Sequence, residues 1–224
     1  MTKILIPVTN HATLGTTGEA NGTYSPELTH ALHVFLNAGF EYEITSIKGG
    51  KAPLYGTDIE GDEINTEILG NEQFQSQINN TTPIAKINIE EFDAVFYPGG
   101  FGLLSDLATN TEMASLSAEH YENGGILSAV CHGPAGLLPI TLSDGHKLLE
   151  GKSVTGFTRE EEIDFGTIEN IPFLLEESLA RSAAQYSKVQ PWQEFVVEDN
   201  RVITGQNPSS AHAVGEAVVN LLAK

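Results

Sequence analysis

Cysteine occurs once in 224 residues, as Cys131. No internal disulfide can form, and no cysteine-based zinc or iron–sulfur cluster can be assembled. Positive charge is scarce too: 11 Lys and Arg stand against 30 Asp and Glu, for a formal charge of −19. Nucleic acid and anionic lipid are held by clustered cations, which this chain lacks, so neither is expected as a partner. No apolar run approaches the roughly 18–20 residues that span a bilayer. Met1 to Thr9 has neither the basic start nor the small-residue cleavage site of a secretory leader. The expected compartment is the cytoplasm, where a lone thiol stays reduced. The remaining composition, 40% hydrophobic and 18% charged, is that of a globular chain with a core, and the length predicts one domain over residues 1–224.

Periodicity gives the order of elements. Lys3–Thr9, Tyr42–Ile47, Phe92–Tyr97 and Ile126–Val130 read as strands, the last apolar throughout. Ser153–Thr155 reads as a further short strand, and Phe195–Val197 and Arg201–Thr204 as a hairpin. Helical spacing follows Glu27 (Leu28, Ala31, Leu32, Phe35), and recurs over 112–123, over 174–186 and in a closing helix capped by Ser209 or Ser210. Residues 49–90 are polar and weakly periodic, which fits a small cap or a long loop with short helices. Strands alternating with helices, several strands wholly apolar, predict an α/β fold: a mostly parallel, doubly wound sheet with helices on both faces. Sites in such sheets lie beyond the carboxyl ends of the strands, here the loops after Thr9, Tyr97, Val130 and Thr155.

Chemistry concentrates after Val130. Cys131 ends an apolar strand and precedes His132-Gly133-Pro134, a helix start, which resembles a nucleophile elbow. A thiol at a helix N-terminus would feel the positive end of the dipole, which favours thiolate. His132 is an adjacent base, although only a bend could turn both side chains the same way. An imidazole needs a third group to orient it, and the best candidates lie in Gly156–Glu162, where Glu160, Glu161 and Glu162 are consecutive. Gly99-Gly100-Phe101-Gly102 could offer backbone amides to an anion but lacks the spacing of a nucleotide loop. Glu27 and His30 are one helical turn apart and, on spacing alone, read as a surface acid and a surface histidine.

Five stretches together resemble the ThiJ/PfpI superfamily, of class I glutamine amidotransferase-like, flavodoxin-like fold. They are Ser46–Gly50, Phe92–Gly100, Ala129–Pro134, Gly151–Thr158 and Val202–Pro208. The chain is most similar to the glyoxalase III and stress-chaperone branch. That resemblance puts Cys131 on the nucleophile and His132 on its partner. The orienting acid falls on Glu162, with Glu161 as fallback, and Glu27 falls on a first-helix glutamate that hydrogen-bonds the thiol. Gly100, beside Gly99, would form an oxyanion hole with the amide of His132. It further implies a homodimer and a small carbonyl substrate such as methylglyoxal, converted to a 2-hydroxy acid without metal or redox cofactor. Amide or peptide hydrolysis, and a holdase or oxidant-sensing role, are the alternatives within the superfamily. One departure is evident: the branch often has histidine where this chain has Phe101.

Overall fold

The computed structural model describes all of residues 1–224. The chain opens with β1 (Lys3–Val8), a short β2 (Thr23–Tyr24) and α1 (Ser25–Asn37), which Pro26 starts and whose inner face buries Leu28, Leu32 and Phe35. After β3 (Glu41–Ser46), residues 49–90 supply β4 (Leu54–Tyr55), α2 (Glu63–Gly70), α3 (Glu72–Asn79) and β5 (Thr82–Pro83). Both short helices start at side-chain caps, Asp62 accepting from the Asn65 amide and Asn71 from that of Phe74. Then come β6 (Ala94–Tyr97), α4 (Gly102–Ser105), α5 (Thr111–Glu122) and β7 (Ile126–Val130). The C-terminal third holds β8 (Ser153–Val154), α6 (Arg159–Phe165), α7 (Leu175–Ser182) and β9 (Gln185–Tyr186). It closes with β10 (Val196–Asp199), β11 (Val202–Gly205) and α8 (Ala211–Leu222).

Seven strands form one sheet in the order β10-β11-β7-β6-β1-β3-β5. All neighbours are parallel except the β10–β11 hairpin. Adjacent residues of a strand face opposite ways, and β6 makes that visible. Phe96 meets Phe35 of α1 edge-on, at 5.7 Å between centroids. Its neighbour Tyr97 points to the other face and exchanges a 2.6 Å hydrogen bond with Ser117 of α5. Helices therefore cover both faces, which is the doubly wound arrangement expected. α8 lies beside α1, and Gly215 lets them approach: a Cβ there would sit 3.1 Å from Val34 Cβ and 3.2 Å from the Ala31 carbonyl oxygen. No helix is long and apolar enough to cross a membrane.

Three local expectations are corrected. The helix expected over 174–186 ends at Ser182, because Gln185–Tyr186 pairs with β8 and the Tyr186 hydroxyl donates to the Gly156 carbonyl at 2.9 Å. β8, expected to join the main sheet, instead forms a separate two-stranded ribbon with β9. Ser210 does occupy the cap of α8, but its hydroxyl makes no cap bond; it accepts from the Phe195 amide at 3.0 Å. A 3-10 turn, Pro208–Ser210, runs straight into α8.

The α1–α8 contact fixes the helix that carries Glu27. Gly215→Val should force the two apart and lower unfolding free energy by about 1–3 kcal/mol, the usual penalty of overpacking, measured by urea denaturation.

Candidate active site

The loops after β6 and β7 meet above the carboxyl edge of the sheet. Cys131 follows β7 in the left-handed region, with φ of 60°. For a residue with a side chain this conformation costs of order 1–3 kcal/mol and persists only where the surroundings enforce it. Here the Cys131 amide donates to the Gly205 carbonyl at 3.0 Å and its carbonyl accepts from the Phe157 amide at 2.9 Å. The kink is what turns two consecutive side chains toward one another, as the strand alone could not: Cys131 Sγ lies 3.5 Å from His132 Nδ1.

The far nitrogen of that ring, His132 Nε2, is 2.7 Å from Glu162 Oε1. Glu162 is held in turn by Thr167, whose hydroxyl donates to Oε2 at 2.5 Å. Imidazole and carboxyl are each only 1% exposed. Phe101 and Phe157 flank the ring with centroids at 4.5 Å and 4.6 Å, so it has little room to rotate.

Three consecutive glutamates take three directions, because successive helical positions are about 100° apart. Glu160 points outward to Lys188, at 2.7 Å. Glu161, the fallback acid, does not reach His132. Its Oε2 closes a capping box at Thr158, while Oε1 accepts from the Trp192 amide, Gln206 Nε2 and Asn207 Nδ2 at 2.8, 3.1 and 2.8 Å. Only Glu162 faces the imidazole.

Glu27 comes from the first turn of α1 and is fully buried. Neither of its carboxyl oxygens has a partner in strict hydrogen-bond geometry; the Cys131 thiol and the Gly99 amide are the polar groups turned to it. The bland reading of Glu27 as a surface acid therefore fails. It survives for His30, which pairs with Asp62 at 2.9 Å, away from the sulfur. Gly99 also departs from expectation: a Cβ there would collide with the Glu27 carboxyl, and its amide serves that carboxyl rather than the pocket mouth. Gly100, at φ 118°, turns the loop in a conformation suited to glycine. Its amide and that of His132 donate to no other group in the fold.

The electrostatics correct one expectation. Helix-dipole activation of the thiol is weak, because only a five-residue 3-10 turn, Gly133–Leu137, follows the elbow. Burial pushes the Cys131 thiol well up from its ordinary value, and the Glu27, Glu161 and Glu162 carboxyls add to the rise. Burial likewise raises the Glu27 carboxyl to about 8, against smaller opposing effects of Cys131 and the Gly99 amide. At neutral pH both protons stay on, and a neutral carboxyl sits beside a neutral thiol.

The cavity above the sulfur measures about 60 Å³ and is walled by Tyr24, Tyr55, Phe101, Phe157, Phe165 and Trp192. Tyr55 arrives from the 49–90 segment because β4 pairs with β2. No lysine or arginine lines it, and no set of three or more His, Cys, Asp or Glu side chains converges as a metal would require. Thr167 and Trp192 carried no sequence signal beyond Trp192 being the lone tryptophan. Their roles come from the fold.

A doubly wound α/β sheet presenting a thiol, an imidazole and two buried carboxyls on a strained elbow defines a class of cysteine-centred proteins. The chain belongs to the DJ-1/PfpI family, whose sequence profile matches residues 19–221. It is 28% identical to "Glyoxalase 3" of Candida albicans, over 98% of each chain. It is equally 28% identical, over 98% of each, to "Glutathione-independent glyoxalase HSP31" of Saccharomyces cerevisiae. Among solved structures, the Francisella tularensis Rapid Encystment Protein 24 kDa superposes with a TM-score of 0.94 at 32% identity, covering 99% of both chains. Glyoxalase III of C. albicans superposes with a TM-score of 0.87 at 27% identity, covering 98% of this chain and 97% of that one.

The Glu27 carboxyl titrates at 4.5 when unfolded and at about 8 when folded. Its contribution to stability is full below 4.5, shrinks as pH rises, and is gone above 8, a loss of about 3–5 kcal/mol across that window. Glu27→Gln, which cannot ionise, should remove this slope. Urea denaturation from pH 5 to 9 checks it, the difference between wild type and variant isolating the single group.

Proposed function

We propose that the protein is a glutathione-independent glyoxalase, converting a 2-oxoaldehyde and water to a 2-hydroxy acid. The observation that carries the reading is the continuous Cys131–His132–Glu162 chain with Glu27 pressed against the same sulfur, in a pocket with no cation. The end-to-end similarity to relatives bearing that name supports it.

His132 takes the thiol proton as Sγ adds to the aldehyde carbon C1. The C=O π bond opens, the oxygen becomes a hydroxyl, and a hemithioacetal forms. The oxygen passes through an anionic stage, where the free amides of Gly100 and His132 are the available donors. Removing one such donor costs about 3–4 kcal/mol in comparable sites. The ionised form of Glu27, a minor fraction at neutral pH for a carboxyl that titrates near 8, takes the proton from C1 and returns it to C2 through an enediol. C1 is thereby oxidised to a thioester as C2 is reduced to a carbinol, so no external redox partner enters. Water then cleaves the C1–S bond, releasing the acid and returning the thiol. Glu162, steadied by Thr167, keeps the imidazole in place throughout.

Peptide hydrolysis is less well served: Cys131 is 3% exposed at the floor of a narrow cavity, where an extended chain has no groove to follow. The family resemblance supports a cytoplasmic homodimer in which residues 1–224 act as one domain, the 49–90 segment contributing Tyr55 as part of its cap.

Purified protein incubated with methylglyoxal and no thiol cofactor should yield lactate. Cys131→Ala should abolish it, and Glu27→Gln should lower kcat/KM by about 10²- to 10⁴-fold. Lactate formation by Cys131→Ala at the wild-type rate would sink the proposal.

A further inference from the structure

The aromatic wall described above is not confined to the floor of the pocket. Phe101 stacks against His132 inside, then against Phe165 at 5.8 Å between centroids. Phe165 reaches Trp192 at 6.3 Å, and Trp192 closes back on Phe157 at 5.7 Å. The result is a ring of aromatic faces running from the imidazole to solvent. Phe165 and Trp192 form its outer rim and are 56% and 39% exposed. Large apolar side chains left open at a pocket mouth mark a surface meant to be covered by something apolar.

The rim is built, not incidental. Trp192 has φ of 65°, a strained conformation for a bulky residue, and several groups enforce it. Its amide donates to the buried Glu161 at 2.8 Å, its carbonyl accepts from Ser209 Oγ at 3.0 Å, and its indole N–H donates to Asp164 at 3.3 Å. Phe165 sits one helical turn past Glu162 on α6, so the helix that orients the imidazole also places the rim. The wall carries no cation to meet an anionic substituent. A phosphate or carboxylate on the substrate would lose its hydration with no cation to replace it, and a polyhydroxylated chain would lose its hydration to aromatic faces.

We propose that this site selects neutral 2-oxoaldehydes whose C2 substituent is aryl or similarly bulky and apolar, seated between Phe101, Phe165 and Trp192, in preference to methylglyoxal. The assignment rests on the glyoxalase reading and deepens it. Aromatic walls favour an aryl guest through offset and edge-on contacts in addition to the area they bury. The reaction is unchanged: phenylglyoxal and water give mandelate as methylglyoxal and water give lactate, with the same bonds made and broken at Cys131.

The test has two arms. In steady-state kinetics, kcat/KM for phenylglyoxal should exceed that for methylglyoxal by about tenfold or more, the scale on which an apolar pocket discriminates, with most of the difference in KM. Trp192→Gly relieves the left-handed strain while removing the wall, and Phe165→Ala removes the other half of the rim. Each should cut the aryl-to-methyl ratio by about tenfold. Equal kcat/KM for the two aldehydes, or a preference that survives both substitutions, overturns the inference. The second arm needs no turnover: protection of Cys131 from iodoacetamide by the neutral diols 1-phenylethane-1,2-diol and propane-1,2-diol. The phenyl diol should protect at concentrations about tenfold lower, and this advantage should vanish in Trp192→Gly. If neither aldehyde is converted, the glyoxalase reading fails and this arm alone decides the pocket's preference: equal protection by both diols refutes it.

Discussion

The contact between the Glu27 carboxyl and the Cys131 sulfur, both shut away from water, is the constraint around which the rest of the site is arranged. A carboxylate there would face an apolar wall and a developing thiolate at once, so burial keeps it protonated up to a pH of about 8. A protonated carboxyl can donate a hydrogen bond to the sulfur without carrying charge into the pocket. The same burial makes the resting thiol a poor nucleophile. Its activation depends on His132 accepting a proton when an electrophile arrives, rather than on a standing thiolate.

Backbone geometry makes the contact possible. β7 brings Cys131 to the edge of the sheet, and the neighbouring β11 and the Phe157 loop pin its amide and carbonyl in a conformation the residue would otherwise avoid. α1, packed under β6 through Phe35 and alongside α8 at Gly215, brings Glu27 from the other direction. α6 supplies Glu162. The elbow after β7, α1 and α6 thus each contribute to the site, so its register depends on the sheet being whole.

Much of this was legible in the amino-acid order because the underlying signals are local. An apolar strand ending in Cys-His-Gly-Pro announces an elbow, and buried strands alternating with helices announce a parallel sheet. Glu27 was not legible by spacing, since an acid in the first turn of a helix normally faces solvent; the family resemblance supplied it. The choice among Glu160, Glu161 and Glu162 turned on helix phase, about 100° per residue, which no composition encodes. Glu161 drew its role from residues 31 to 46 positions away, and Gln185–Tyr186 left the helical pattern for a strand partner in β8. Trp192 stands in a stretch without periodicity, and only the folded loop reveals where its indole lies.

Glu161 also has a structural consequence. One carboxylate joins the start of α6, the backbone of Trp192 and the amides of Gln206 and Asn207 ahead of α8. The segment that aims the imidazole and the segment that shapes the entrance are therefore fastened to a common point. Drift in substrate scope through this region cannot proceed independently of catalytic alignment. Because the chain's only indole is fastened there too, its intrinsic emission works as a native gauge of that junction, and no extrinsic label is needed to follow it.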